Sequence, residues 1–321
     1  MIFLETNMLR TFLRQISIFF SFFYFRKIKI NIKKHLIVEK FIKDKSNEIY
    51  KTNPRLKTHK NLAGEILRII KTDNLYSFLR NSFIQNIFFI HNRLFIYFEL
   101  IELKKDKNWK IWKKLISEND VGRPVRFFLY SNSSGNRIRQ VYILKKFLNS
   151  NKSIHLDKIQ NIIEVGGGYG CMADIFIKLN KKISYTIYDM HEVNLLQFYF
   201  LKMNNHNPVL GKSSGKLNLI SELNQLNKIT KIKKNYCFIA NWSISEFPIK
   251  FRKKFLNTIN RSKFSIISFQ ESFENINNLK YFNQTLNKLS NKFIINLQTF
   301  DHYNNSPLNK NNHYILSLVR K

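Results

Sequence analysis

Beyond residue 150 the chain repeats one pattern, a short run of β-branched or aromatic residues followed by a longer stretch of helical periodicity. NIIEV, from Asn161 to Val165, precedes CMADIFIKLN, and ISYTIYDM precedes EVNLLQFYFLKMNN. KLNLI, NYCFIAN and FSIISFQ follow as further strand-like runs, with the helical PIKFRKKFLNTIN between the last two. Apolar runs of strand length alternating with helical ones predict a parallel sheet with covering helices. The end differs in kind. KFIINLQTF and NHYILSLVRK are joined by the polar loop DHYNNSPLNKN, with no helix expected between them, and so should pair as an antiparallel hairpin.

Ahead of residue 150 the patterns fit helices. In NRIRQVYILKKFLNS, the residues Ile138, Val141, Tyr142 and Leu148 share one helical face. DVGRPVRFFLYSNSSGN interrupts with turn formers and reads as a loop. The apolar run QISIFFSFFYF between Arg14 and Arg26 is well short of the ~20 residues that span a bilayer. No small-residue cleavage site follows it, because the next residues are RKIKINIKKH. It is read as a core helix in preference to an interfacial anchor with basic flanks. The expected division is a mainly helical region over 1–150, on the substrate side or near a membrane, and a sheet domain over 151–321.

Composition changes this picture little. The chain has 321 residues, enough for a sizeable core, and 54 Lys+Arg against 21 Asp+Glu give a formal charge of +33. Such a charge fits nucleic acid, an anionic membrane surface or an acidic substrate. It fits equally the biased codons of an AT-rich genome, since lysines are spread along the chain beside abundant Asn, Ile and Phe. The two cysteines, Cys171 and Cys237, sit in apolar segments without metal-type spacing and read as buried free thiols in a reducing compartment.

Candidate chemistry gathers in IIEVGGGYGCMADIF. Of nine glycines in the chain, Gly166, Gly167, Gly168 and Gly170 fall together there. A strand, a glycine turn and a helix present backbone N–H groups at the carboxyl edge of a parallel sheet, where a nucleoside ligand belongs. A dinucleotide fingerprint counted from Gly166 would need a small residue where Cys171 stands. The pattern present is acidic-x-G-x-G-x-G, with Glu164 as the acid and Tyr169 between the last two glycines. Asp189 closes the second strand-like run, at roughly the 20-residue distance expected of a carboxylate that accepts ribose hydroxyls. It would also cap the helix that follows.

This pattern resembles the first motif of class I S-adenosylmethionine-dependent methyltransferases. IIEVGGGYG, YTIYDMHEVNLLQFYFL and CFIANWSISEF, in that order, further resemble the signatures of a bacterial family of sugar O-methyltransferases, over roughly Ile138 to Gln270. The chain departs from that family at Met190 and His191, where Leu-Pro is usual, and at Phe247, where Met is usual. The resemblance implies a Rossmann-like α/β methyltransferase sheet ending in the antiparallel hairpin. It implies S-adenosylmethionine as cofactor, held by Glu164, Gly166, Gly167, Gly168, Tyr169, Gly170, Asp189 and Asn241. The substrate implied is a sugar or glycan of polysaccharide biosynthesis, and the location the cytoplasm, with peripheral contact at an anionic inner membrane face left open.

Methyl transfer to a sugar hydroxyl needs a group that takes up the hydroxyl proton and polar groups that orient the acceptor. The loops at the carboxyl ends of the strands offer Asn241, Ser245 and Glu246, then Glu271, then Asp301 with His302, and His191 beside Asp189. Glu246, Asn241 and His302 form the expected catalytic set. No metal is expected, although Glu271, Asp301 and His302 are of ligand type. Two other readings compete. An RNA methyltransferase could use the basic N-terminal region as its platform. RNA base methyltransferases of this fold commonly carry Asn/Asp-Pro-Pro-aromatic after the fourth strand, whereas this chain has ANWSISEF with Pro248 isolated. A non-catalytic membrane-surface protein would tolerate a degenerate nucleotide site, and the intact Glu164, glycine and Asp189 set counts against degeneracy.

Overall fold

A computed structural model describes residues 31–47, 57–88, 95–151, 154, 159–233, 235–305 and 311–321, with 12, 16 and 19 as isolated positions. Apart from Ile16 and Phe19, the apolar run between Arg14 and Arg26 lies outside the described residues. The chain packs into two compact units, Met1–Tyr142 with Gly168–Leu179 and His191–Asn207, and Ile143–Gly167 with Asn180–Met190 and Pro208–Lys321.

The first unit is helical, with α1 (Ile32–Ser46), α2 (Lys57–Thr72), α3 (Ser82–Ile87), α4 (Phe95–Lys105) and α5 (Trp109–Ile116). The segment expected as a loop instead holds an antiparallel pair, β1 (Arg126–Phe127) with β2 (Tyr130–Ser134). Phe127 is fully buried, and Arg126 donates to the carbonyls of Asn132 and Glu118, which holds the pair closed. The helix α6 (Gly135–Ser150) follows, its residues through Tyr142 belonging to this unit and those from Ile143 to the second. Ile138, Val141 and Tyr142 are buried as the periodicity predicts, but so are Ile143, Leu144 and Phe147, while Leu148 is only partly covered. One apolar face therefore understates its burial. The helices α7 (Cys171–Leu179) and α8 (His191–Met203) complete this unit.

The second unit is built on an eight-stranded sheet. Its strands are β3 (Asn161–Val165), β4 (Ser184–Tyr188), β5 (Pro208–Leu210), β6 (Leu217–Ile220), β7 (Tyr236–Asn241), β8 (Phe264–Gln270), β11 (Phe293–Thr299) and β12 (His313–Arg320), in the order β11-β12-β8-β7-β3-β4-β6-β5. From β5 to β8 every neighbouring pair is parallel. The hairpin forms as predicted, with Phe293 opposite Arg320 and Thr299 opposite Tyr314, and β12 also pairs antiparallel with β8. Its connection is not wholly irregular, because Asp301–Asn304 form a short helix. The edge strand β5 and a small antiparallel pair, β9 (Ser272–Phe273) with β10 (Ile276–Asn277), have no counterpart in the sequence pattern.

Three helices belong to this unit, α9 (Leu223–Ile232), α10 (Ile249–Arg261) and α11 (Asn278–Leu289). Phe255 and Ile259 of α10 and Phe282 and Leu286 of α11 pack into one core with Ile163, Phe238 and Ile267 of the strands. All seven residues of β8 are buried, which is why FSIISFQ reads as a continuous run and not as an alternating one. Chain order decides the position of the site. The chain proceeds from β3 to β4 and β6 on one side, then returns to β7 and β8 on the other. The crevice for a ligand in such a sheet lies where that reversal occurs, outside the carboxyl ends of β3 and β7.

Candidate ligand site at the carboxyl edge of the sheet

The ends of three strands are tied together by main-chain bonds. Gly166 N donates to the Tyr188 carbonyl at 2.9 Å, and Asp189 N donates to the Ile220 carbonyl at 3.0 Å. The glycine turn therefore starts beside the residue that precedes Asp189. Asp189 itself is half-buried, and its Oδ1 accepts from Met190 N at 2.8 Å.

The glycines are needed for different reasons. Gly166, Gly168 and Gly170 have φ of 72°, 56° and 95°, a region that glycine enters freely. A Cβ on Gly166 would stand 2.2 Å from Ser243 Cβ, and the Ser243 hydroxyl donates to the Val165 carbonyl. A Cβ on Gly167 would meet Ile187 Cγ2 at 2.7 Å and Glu164 Oε2 at 3.0 Å. These two positions are closed by the protein's own packing. At Gly168 the nearest atom to such a Cβ is on the Phe88 ring at 3.4 Å, an ordinary contact, and the Gly168 carbonyl accepts from Gln197 Nε2 at 2.9 Å.

Two of the expected cofactor residues are buried by the protein itself. Glu164 is buried, and its Oε2 accepts from the Tyr185 hydroxyl at 2.8 Å. Burial pushes its carboxyl up to about 8, the Tyr185 bond opposing and the Asp189 charge adding to the shift. Tyr169 is 1% exposed, its hydroxyl accepting from Asn136 Nδ2 at 3.1 Å and donating to Glu118 Oε1 at 3.4 Å. Its ring packs edge-on against Phe200. The start of α7 is fixed by the fully buried Arg137, whose Nη1 donates to Asp174 Oδ2 at 2.7 Å, while His206 Nε2 lies 2.8 Å from Asp174 Oδ1.

The expected catalytic residues divide into two groups. Asn241 ends β7, and its Oδ1 accepts from the Ser268 hydroxyl at 3.0 Å. Trp242 follows with φ of 63°, unusual for a bulky side chain and held only where its surroundings impose it. Its N donates to the Ser268 carbonyl at 2.7 Å, its ring stacks on Phe300 at 5.9 Å, and its Nε1 donates to His313 Nδ1 at 3.3 Å. This kink leads into the 3-10 turn Ile244–Glu246. Burial pushes the half-buried Glu246 carboxyl up to about 7, opposed by Gln270 Nε2, which donates to Glu246 Oε1 at 3.5 Å. The Ser245 hydroxyl donates to the Gln270 Oε1 at 2.9 Å. Asn241, Ser245 and Glu246 are thus brought together around Ser268 and Gln270.

His302 stands apart, on the short helix α12 (Asp301–Asn304) after β11. Because β12 is antiparallel to both β8 and β11, β11 ends at the same edge as β8 but with β12 between them. Asp301 pairs with Lys146 at 3.6 Å. Glu271 follows β8, its N donating to the Asn312 carbonyl at 2.7 Å. His191 opens α8 and is 3% exposed. Among the described residues no three His, Cys, Asp or Glu side chains converge. Cys171 and Cys237 are both buried and free, as their apolar settings predict.

The residues that pattern reading overlooked are Tyr185, Ser243, Arg252 and Gln270. Trp242 and Ser243 lie inside ANWSISEF, but the contact of Ser243 with Gly166 depends on β7 pairing beside β3, which no spacing in the sequence announces. Gln270 ends an apolar strand, where its amide carries no local signal.

No family model matches the chain, and no curated protein matches it by sequence. Among solved structures it is similar to the methyltransferase domain of a bacterial Hen1, at 11% identity over 56% of this chain and 97% of that one, with a TM-score of 0.40. It is similar to magnesium protoporphyrin IX methyltransferase of Synechocystis PCC 6803, solved with bound SAM, at 11% identity over 70% of this chain and 97% of that one, with a TM-score of 0.39. A third likeness is to TrmK of M. capricolum in complex with S-adenosyl-homocysteine, at 12% identity over 55% of this chain and 68% of that one, with a TM-score of 0.35.

Proposed function

We propose that the chain is an S-adenosylmethionine-dependent O-methyltransferase that acts on a sugar hydroxyl of a glycan or glycan precursor. The observation that carries the reading is the bond from Gly166 N to the Tyr188 carbonyl, which sets the glycine turn beside Asp189 at the switch point of the sheet. The residues there suit the cofactor. Asp189 offers two acceptor oxygens to a ribose diol, and Gly168 leaves the turn without a side chain where Gly166 and Gly167 are already closed from below. Cys171, the buried first residue of α7, occupies the place where a dinucleotide site has its third glycine. When bound, S-adenosylmethionine supplies the electrophilic methyl group.

The chain supplies the rest. An alcohol holds its proton tightly, and a carboxylate raised to about 7 accepts that proton better at neutral pH than an ordinary carboxylate does. Glu246 takes this role, and Asn241, one turn of chain before it, orients the acceptor hydroxyl through its amide. The sugar as acceptor is supported by the three family-like segments that carry the glycine turn, Asp189 and Glu246. Calorimetric titration of the purified chain with S-adenosylmethionine and with NAD tests the cofactor. Binding of the first alone is expected, and tight NAD binding without any response to S-adenosylmethionine would sink the reading.

A further inference from the structure

The helix α1 has apolar side chains on two faces, and its own unit uses one. Val38 and Ile42 are buried together with His35 and Ser46. His35 Nδ1 lies 2.8 Å from the Tyr199 hydroxyl, and Lys34 Nζ donates to Asn205 Oδ1 at 2.7 Å, so the helix is seated on α8 and the turn after it. The other face leaves Ile32 69% exposed, Leu36 57% and Ile37 61%, while Phe41, 38% exposed, packs its ring on Phe198 of α8 at 5.0 Å. Single exposed apolar residues are ordinary, but three within two turns of a helix already seated by its opposite face mark a surface made for contact.

Charge narrows the partner. At 100° per residue Lys33 and Lys40 fall between the pair Ile32 and Leu36 and the pair Ile37 and Phe41, and both lysines are exposed. Asp44 is the acid exposed beside them, whereas Glu39 is turned toward Lys43 and His35. The same mixture recurs in this unit on α5, with exposed Lys110, Ile111, Lys113 and Lys114. The partner is therefore anionic. RNA would be met by lysines and by rings that stack on bases, and Ile32, Leu36 and Ile37 have no aromatic face to offer. Aliphatic side chains between lysines suit the boundary of lipid headgroups and acyl chains, where both kinds are satisfied. No helix among the described residues is long and apolar enough to cross a membrane.

We propose that the outer face of α1 docks on an anionic lipid bilayer, with Ile32, Leu36 and Ile37 entering the headgroup boundary and Lys33 and Lys40 meeting lipid phosphates. The inference stands independently of methyl transfer. It is tested by sedimenting the full chain with vesicles of phosphatidylglycerol and phosphatidylcholine in equal parts, beside vesicles of phosphatidylcholine alone. Binding to the anionic vesicles is expected, weakening as salt is added. Leu36→Glu combined with Ile37→Glu should lower that partitioning about tenfold or more, with an unchanged melting temperature because both positions are exposed. Should the pair melt lower, Ile32→Ser, at the first turn of the helix and the most exposed of the three, carries the same test. Equal partitioning of parent and variants, or no binding to the anionic vesicles, would overturn the proposal. So would variants that lose affinity for a single-stranded RNA while vesicle binding stays as it was, since the face would then belong to nucleic acid.

Discussion

Arg252 brackets Glu246: its Nη2 donates to the Ser245 carbonyl at 2.5 Å and its Nε to the Phe247 carbonyl at 2.5 Å. Its Nη1 donates to Asn278 Oδ1 at 2.8 Å, and Asn278 Nδ2 donates to the Gln270 carbonyl at 2.9 Å. One buried guanidinium thus fixes the main chain on both sides of the carboxylate and reaches, through Asn278, the residue that donates to it.

Lysine cannot reproduce that fork, because its single ammonium reaches one of the three acceptors. Arg252→Lys should lower stability by about 2–3 kcal/mol, the cost of leaving buried carbonyls without a donor. It should also let water reach the loosened turn, so that the Glu246 carboxyl titrates lower. Urea denaturation reads the first effect and carbon-13 titration of labelled glutamates the second, with Glu246→Gln assigning the resonance.

A base must be ionised to act, and burial has pushed Glu246 up to about 7. Methyl transfer should therefore rise with pH through about 7 and level off above it. Glu246→Gln should lower the rate by about 10²–10⁴-fold and remove that limb from the pH profile. A profile unchanged in the variant would move the base elsewhere, with His302 the next candidate.

Glu164 makes a prediction about stability. Its carboxyl titrates near the usual carboxylate range when unfolded and at about 8 when folded, so the protonated form favours the fold. That contribution is complete below the unfolded value and is lost as pH rises to about 8. Glu164→Gln keeps an acceptor for the Tyr185 hydroxyl and does not ionise. Melting temperature should then fall less between about pH 4.5 and 8 in the variant than in the parent, and the variant should melt higher at pH 8.

The glycines should separate by the origin of their constraint. Gly166→Ala places a methyl group against Ser243 at a left-handed φ and should cost about 3 kcal/mol or more. Ser243→Gly in that background should return much of the loss, a coupling that a double-mutant cycle by thermal denaturation would read. Gly168→Ala meets only the Phe88 ring and should cost about 1–2 kcal/mol from backbone conformation alone.

Asp189→Asn replaces a carboxylate that can accept from both ribose hydroxyls with an amide that has one acceptor. The loss of about 1.5–3 kcal/mol corresponds to a roughly 10- to 150-fold weaker S-adenosylmethionine dissociation constant by calorimetry. Melting temperature without cofactor should hardly move. A variant that binds as tightly as the parent would remove Asp189 from the ribose site and leave it the acceptor for Met190 N.

Much of this was legible in the linear pattern, and the limits are instructive. The strands β3, β4, β6, β7 and β8 were marked because their runs of branched and aromatic residues are buried throughout, apart from one terminal residue each in β3, β4 and β7, which leaves a nearly continuous apolar signal. The terminal hairpin was marked by two such runs without a helix between them. β1 and β2 were hidden inside a stretch of turn residues, since a short pair closed by Arg126 and its carbonyl partners has no periodicity to show.

By itself the sequence indicated which residues stand at the carboxyl edge: the glycines, Asp189 and Asn241 each close or follow a run of strand length and composition, and Glu246 lies in the turn after the last of them, so their place along the chain pointed to their place in the sheet. The tertiary structure decided what each does there. Gly166 is a glycine because Ser243 lies against it, Glu164 is raised because it is enclosed under Gly167 and Tyr185, and Glu246 is held because Arg252 spans its neighbours. The first two relations join residues on or just after neighbouring strands, far apart in the chain, through strand order, and the third ties α10 to the turn just before it. Local propensity carries no record of strand order, because the reversal from β4 to β7 around β3 is settled only when the whole sheet buries its two faces.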